Sequence, residues 1–150
     1  MGIAARSASL LLDLDGNILW DRVFEYGHFH GPGGSPVVVD NKLILSCDGG
    51  EKQFLVALDK TTGKTIWQTE KKHIHPARFS GDKMKPIAFS TPTLRDVDGK
   101  VEVICSGADH IAGFDAKTGT VTKEFVAVPL QTDQQTAGTV RKLLARKEVP

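Results

Sequence analysis

The chain has 150 residues, 40% of them hydrophobic, enough for one ordinary globular domain. Nineteen basic residues against eighteen acidic ones leave a formal net charge of +1, which excludes the broad positive footprint of a nucleic-acid binder. No stretch approaches the roughly 18 consecutive apolar residues of a membrane span, and two cysteines without a C-x-x-C spacing exclude a disulfide framework or a zinc knuckle.

The N-terminal segment, residues 1–9, carries no repeat character. Arg6 precedes an apolar patch, but that patch is only Leu10 to Leu12 and Asp13 ends it, so no export signal is expected in this chain. LLDLDGNILW, from Leu11 to Trp20, then reads as strand, turn and strand, with Asp13 before the turn and Gly16 in it. The loop from Glu25 to Pro36, EYGHFHGPGGSP, concentrates Tyr26, His28, Phe29 and His30 between glycines and is the candidate binding loop. The bland alternative is that these rings only pack the loop onto its neighbours.

From Pro36 to Trp67 four short strands follow: VVV, LILSC, FLVAL and KTIW, separated by DN, DGGEK and DKTTG. Gly63 supplies the positive φ of a tight turn, and Asp59 is placed to accept hydrogen bonds from turn amides. Trp20 and Trp67 are expected at the end of the last strand, where a flat side chain fills the wedge between sheets. KHIHPARFSGDKMKP then reads as an insertion, and Lys71-Lys72 as solvated charge.

A second unit begins at FSTPTLRDVDGKVEVICSGAD and continues through AGFDAKTGTVTK. Pro36 to Pro92 and Gly63 to Gly119 both span 56 residues, so two independent landmarks keep one step. RDVDGK in place of DNK reads as a turn lengthened by two residues. Cys47 and Cys105 each follow a turn lysine, Lys42 or Lys100, by five residues, and are read as equivalent core positions. One such sheet cannot bury both faces alone. The expected fold is therefore all-β: propeller blades of four-stranded antiparallel sheets, about two to three of them in an incomplete ring. Repeats are assigned to 10–125 and a basic non-repeat tail to 126–150, with Thr139 to Lys147 as a short amphipathic helix or disordered segment. This pattern is the expectation for a truncated or frame-disrupted product.

ALDKTTGKTIW resembles the PQQ-type propeller repeat A-x-D-x-x-T-G-x-x-x-W, with Ala57, Asp59, Thr62, Gly63 and Trp67 filling the pattern. The first copy keeps Asp13, Gly16 and Trp20. The third keeps Asp115, Thr118 and Gly119 but has Lys123 where tryptophan is expected. The central stretch more narrowly resembles secreted BamB-like repeat proteins, closed propellers of about seven or eight blades. That resemblance implies a non-catalytic periplasmic or extracellular interaction scaffold that binds a protein partner or further blades, with no PQQ. The alternative it carries is a fragment of a PQQ-dependent alcohol or sugar dehydrogenase, with PQQ and calcium.

No catalytic, cofactor or metal residues are assigned. The pairs His28/His30 and His73/His75 lack a third ligand by spacing. Asp96-Val97-Asp98-Gly99 and Asp13-Leu14-Asp15-Gly16 are half of a calcium loop without its later acidic ligand, so they read as turns. Open sheet edges predict self-association.

Overall fold

A computed structural model describes residues 6–27, 33–49, 52–71, 87–107 and 110–126. Within them every element is a strand. β1 (Arg6–Leu12) and β2 (Ile18–Glu25) form a two-stranded sheet. β3 (Val37–Val39), β4 (Lys42–Asp48), β5 (Gln53–Asp59) and β6 (Thr65–Glu70) form a second, and β7 (Thr93–Val97), β8 (Lys100–Ser106), β9 (His110–Asp115) and β10 (Val121–Val126) a third. Strands pair antiparallel in chain order, so the third sheet repeats the second and β1-β2 repeats its last two strands. The expected four-stranded blades are present, two whole and one half. β1 starts four residues ahead of the assigned repeat boundary at 10, and β10 ends one past 125.

Alternation sorts each strand's side chains onto two faces. In β4 and β5, Cys47, Phe54, Val56 and Leu58 turn toward β1-β2 and are buried with Trp20, Phe24 and Tyr26. Ile44, Leu55 and Ala57 turn the other way and are buried with Val103, Cys105, Ala112 and Phe114 of the next sheet. The middle sheet is apolar on both faces because it lies between two others, which explains the nearly continuous hydrophobic run QFLVAL in β5. The two cores are thus two seams between successive blades.

Three expectations about register change. Val39 pairs with Lys42 and Val97 with Lys100, so both hairpins close on two-residue turns, Asp40-Asn41 and Asp98-Gly99. Asp40 and Asp98 adopt the same left-handed φ of 53°. The two extra residues in RDVDGK therefore lengthen the β7-β8 hairpin and leave its turn unchanged. Consequently the cysteines are not equivalent: Cys47 faces Phe54, whereas Cys105 faces Ala112, the counterpart of Val56. Cys105 thus takes the place that Leu45 has in the middle blade, one pleat away from that of Cys47. Trp20 and Trp67 are the third residues of their strands, near the start and not at the end.

Candidate functional site

The turn between the last two strands of each blade is built by its aspartate. Asp59 Oδ1 accepts hydrogen bonds from the backbone N–H groups of Thr61 and Thr62, both at 2.9 Å, and from both threonine hydroxyls. The Thr61 hydroxyl and these amides favour the carboxylate and hold its pKa down to about 2. Asp115 repeats the arrangement with the amides of Lys117 and Thr118 at 2.9 and 2.8 Å, and its pKa is lowered, first by the Thr118 amide. Asp13 receives the amides of Asp15 and Asn17, and its pKa is lowered chiefly by the Asn17 side chain. A carboxylate committed to its own turn in this way is a poor proton acceptor at neutral pH.

The turn glycines do two things. Gly63 and Gly119 adopt φ values of +68° and +74°, which a side chain resists. They also carry the preceding blade's indole. A Cβ on Gly63 would lie 2.7 Å from Cδ2 of Trp20, and one on Gly119 would lie 2.6 Å from Cε3 of Trp67. Each indole N–H then donates to a turn carbonyl, Trp20 to Lys60 at 3.0 Å and Trp67 to Ala116 at 3.2 Å. The ring's apolar area and its single donor are therefore both satisfied in one seat.

A β-bulge aims the indole. Ala57 pairs with Trp67 but Leu58 pairs with Thr65, which leaves Ile66 as an extra residue just before the tryptophan. Leu19 is extra in the same way ahead of Trp20, and Thr122 ahead of Lys123. The five-residue motif G-x-x-x-W holds this extra residue, but only the pairing partners reveal it. Lys123, in the tryptophan position, instead points its ammonium to within 3.7 Å of Glu102 Oε2.

The other landmark also joins adjacent blades. The Ser35 N–H donates to Thr91 Oγ1 at 2.9 Å, a contact between equivalent residues 56 apart. Gly34 lies so close to the Ser90 carbonyl that a Cβ would approach it at 2.5 Å.

Sequence reading missed a buried ion pair. Lys71 is not solvated: its Nζ lies 2.7 Å from Asp48 Oδ1 and also donates to Ser46, with side chains 1% and 4% exposed. No signal in the KK dipeptide distinguishes Lys71 from Lys72, which lies outside the described residues. Burial pushes the nearby thiols up, Cys47 to about 12 and Cys105 to about 11, so neither is a nucleophile at neutral pH.

Of the candidate binding loop, the structure places Tyr26 in the first seam, 4% exposed and edge-on to Phe54 at 5.9 Å. Gly49 is pressed against the Tyr26 carbonyl, leaving no space for a side chain. His28, Phe29, His30, His73 and His75 lie outside the described residues, as do the insertion at 72–86 and the tail from 127 on. Asp96 accepts the Gly99 N–H at 2.8 Å as a turn former. A groove of about 280 Å³ opens between β2, β5 and β6, lined by Phe24, Phe54, Glu25, Glu70 and Lys52 among others. Among the described residues no three His, Cys, Asp or Glu side chains converge to hold a metal, and no helix is long and apolar enough to cross a membrane.

Stacked antiparallel sheets, keyed at both described junctions by a tryptophan on a turn glycine, define a β-propeller of the PQQ-like repeat class. The family model described as outer membrane protein assembly factor BamB matches residues 6–149, and the chain belongs to that family. The match takes in most of the segment assigned as a non-repeat tail. No curated protein matches. Among solved structures the chain is similar to BamB from Moraxella catarrhalis, at 22% identity and a TM-score of 0.53 over 79% of this chain and 34% of that one. It is also similar to a quinohemoprotein alcohol dehydrogenase from Pseudomonas putida, at 24% identity and a TM-score of 0.52 over 82% of this chain and 18% of the other. A europium-containing methanol dehydrogenase matches at 16% identity and a TM-score of 0.51, over 76% and 20%. These likenesses establish the fold. The chain spans between 18% and 34% of these structures' lengths.

Proposed function

We propose that the chain is part of a non-catalytic propeller scaffold, with a protein segment or further blades as its partner, working in the periplasm or outside the cell. The observation that carries this reading is how the repeat's chemically able groups are used. Asp59 and Asp115 are spent on turn amides, both thiols are buried in seams, and Lys71 is neutralised by Asp48. The family description supports the outer-membrane setting and a role in assembly. On this reading neither PQQ nor calcium is a ligand.

The competing reading, a portion of a PQQ-dependent alcohol or sugar dehydrogenase, draws on the two dehydrogenases among the similar structures. Titrating the purified chain and its complete parent protein with PQQ and calcium, then adding an alcohol or sugar and an artificial dye, separates the two. The scaffold reading expects no saturable PQQ binding and no dye reduction by either. Dye reduction by the parent protein would overturn it.

A further inference from the structure

Cys47 and Cys105 are the chain's two cysteines, so only one disulfide can form within it. The fold keeps that bond from closing. Cys47 leaves the middle sheet on the face turned to β1-β2 and is buried with Trp20, Phe24 and Phe54. Alternation puts its strand neighbours Ser46 and Asp48 on the opposite face. Cys105 leaves the third sheet toward that opposite face and is buried with Ile44, Leu55 and Val103. The middle sheet therefore stands between the two thiols. The charges of Lys71 and Asp48 act on both of them, so they lie over one region of that sheet, one in each seam.

Stacked sheets lie about 10 Å apart, whereas a disulfide needs its Cα atoms within about 7 Å and its Cβ atoms turned toward each other. Cys47 points away from the sheet that carries Cys105, so the bond cannot close while both seams are formed. The unfolded chain has no such partition. Its cysteines are 58 positions apart, and a flexible loop of that length closes readily. Burial in the seams is also what raises the two thiols to about 12 and about 11 and takes them out of reach of an attacking disulfide.

We propose that this pair of thiols makes folding of the chain redox-gated. In the reduced chain the blades stack, and each seam then shields its own thiol. Oxidised before stacking, the chain carries a bond between 47 and 105 that the stacked state cannot contain, and one of the two seams stays open. The reaction is thiol–disulfide exchange with a small-molecule disulfide such as oxidised glutathione. One protein S–S bond forms, the small disulfide is reduced to two thiols, and the two cysteine protons end on those thiols. Stacking and oxidation thus compete for the same two sulfurs, a competition that an oxidising compartment sharpens. The inference rests on the two seams and not on the scaffold reading, since a dehydrogenase portion with the same seams would be gated alike.

The test starts from the chain unfolded in urea. One portion is kept reduced, and another is treated with oxidised glutathione until the monomer has lost two hydrogens by mass. Urea is then diluted out of both. The reduced chain should recover blue-shifted tryptophan emission and hydrogen-exchange protection in β4, β5 and β8. The cross-linked chain should fail to recover protection on at least one side of the middle sheet, and dithiothreitol should restore it. The folded, reduced chain should form the bond about a hundredfold more slowly than the unfolded one. The double variant Cys47→Ala, Cys105→Ala should behave alike with and without the oxidant. A cross-linked chain that regains full emission and protection would overturn the proposal, as would equal oxidation rates for folded and unfolded chain. A reduced chain that never recovers would overturn it too, since no seam would then separate the thiols.

Discussion

Glycine and tryptophan divide the labour at each blade junction, and substitution can separate backbone conformation from steric fit. Gly16→Ala meets open space, so its cost should be the left-handed strain alone, about 1 kcal/mol. Gly63→Ala and Gly119→Ala add a clash with an indole and should cost about 2–4 kcal/mol. Urea unfolding of the three variants checks this, and equal costs would mean that the indoles are not seated as described. Trp67→Ala should cost about 3 kcal/mol, since it removes the ring and leaves a void at the seam. Asp59 behaves differently because its contribution depends on pH. Its folded pKa of about 2 lies below the unfolded value, so its stabilisation is present above about pH 4 and is lost as pH falls from about 4 to 2. Asp59→Asn should flatten the loss of stability across that window, as measured by urea midpoints at successive pH values; an unchanged slope would refute the turn as its origin.

The strands and turns of the middle blade were legible because alternation, β-branched content and turn residues agree over residues 36–67. Residue equivalence across blades was not. Counting from a turn lysine measures distance from a hairpin tip, whereas equivalence is set by the ladder to β5 or β9, and the longer β7-β8 hairpin shifts the two by one pleat. Lys71 escaped for a similar reason. It lies just past β6, where its N–H still donates to the Gln53 carbonyl, and this places it over Asp48, a contact 23 residues away in sequence. The pair makes its own prediction. Lys71→Met leaves the Asp48 carboxylate buried without its cation and should cost about 3–5 kcal/mol, while adding Asp48→Leu should recover most of that loss. Thermal melts of the single and double variants measure the coupling, and additive losses would show the pair to be solvated in solution.

Among the described residues, the buried contacts between blades fall into two seams, each joining one sheet to the next in the chain. The two seams share no buried residue: one is filled by Trp20, Phe24, Phe54 and Val56, the other by Ile44, Leu55, Val103 and Phe114. Trp20→Ala should therefore release β1 and β2 from hydrogen-exchange protection while β8 and β9 keep theirs. Uniform loss across all strands would show a single cooperative unit instead. The one-way docking of each indole also has a consequence in time. Trp20 must wait for Lys60, 40 residues later, and Trp67 for Ala116, 49 residues later. At about 5–20 residues per second of synthesis, each ring stays uncovered for a few seconds after it is made. A chain ending before Lys60 should show the emission of a water-exposed indole, and one ending at Ile66, which still has Trp20 as its one tryptophan, should show it shifted to the blue. From Trp20 until Ala116 is made, the growing protein thus carries an unburied tryptophan for most of its synthesis, a moving sticky end that each next blade closes.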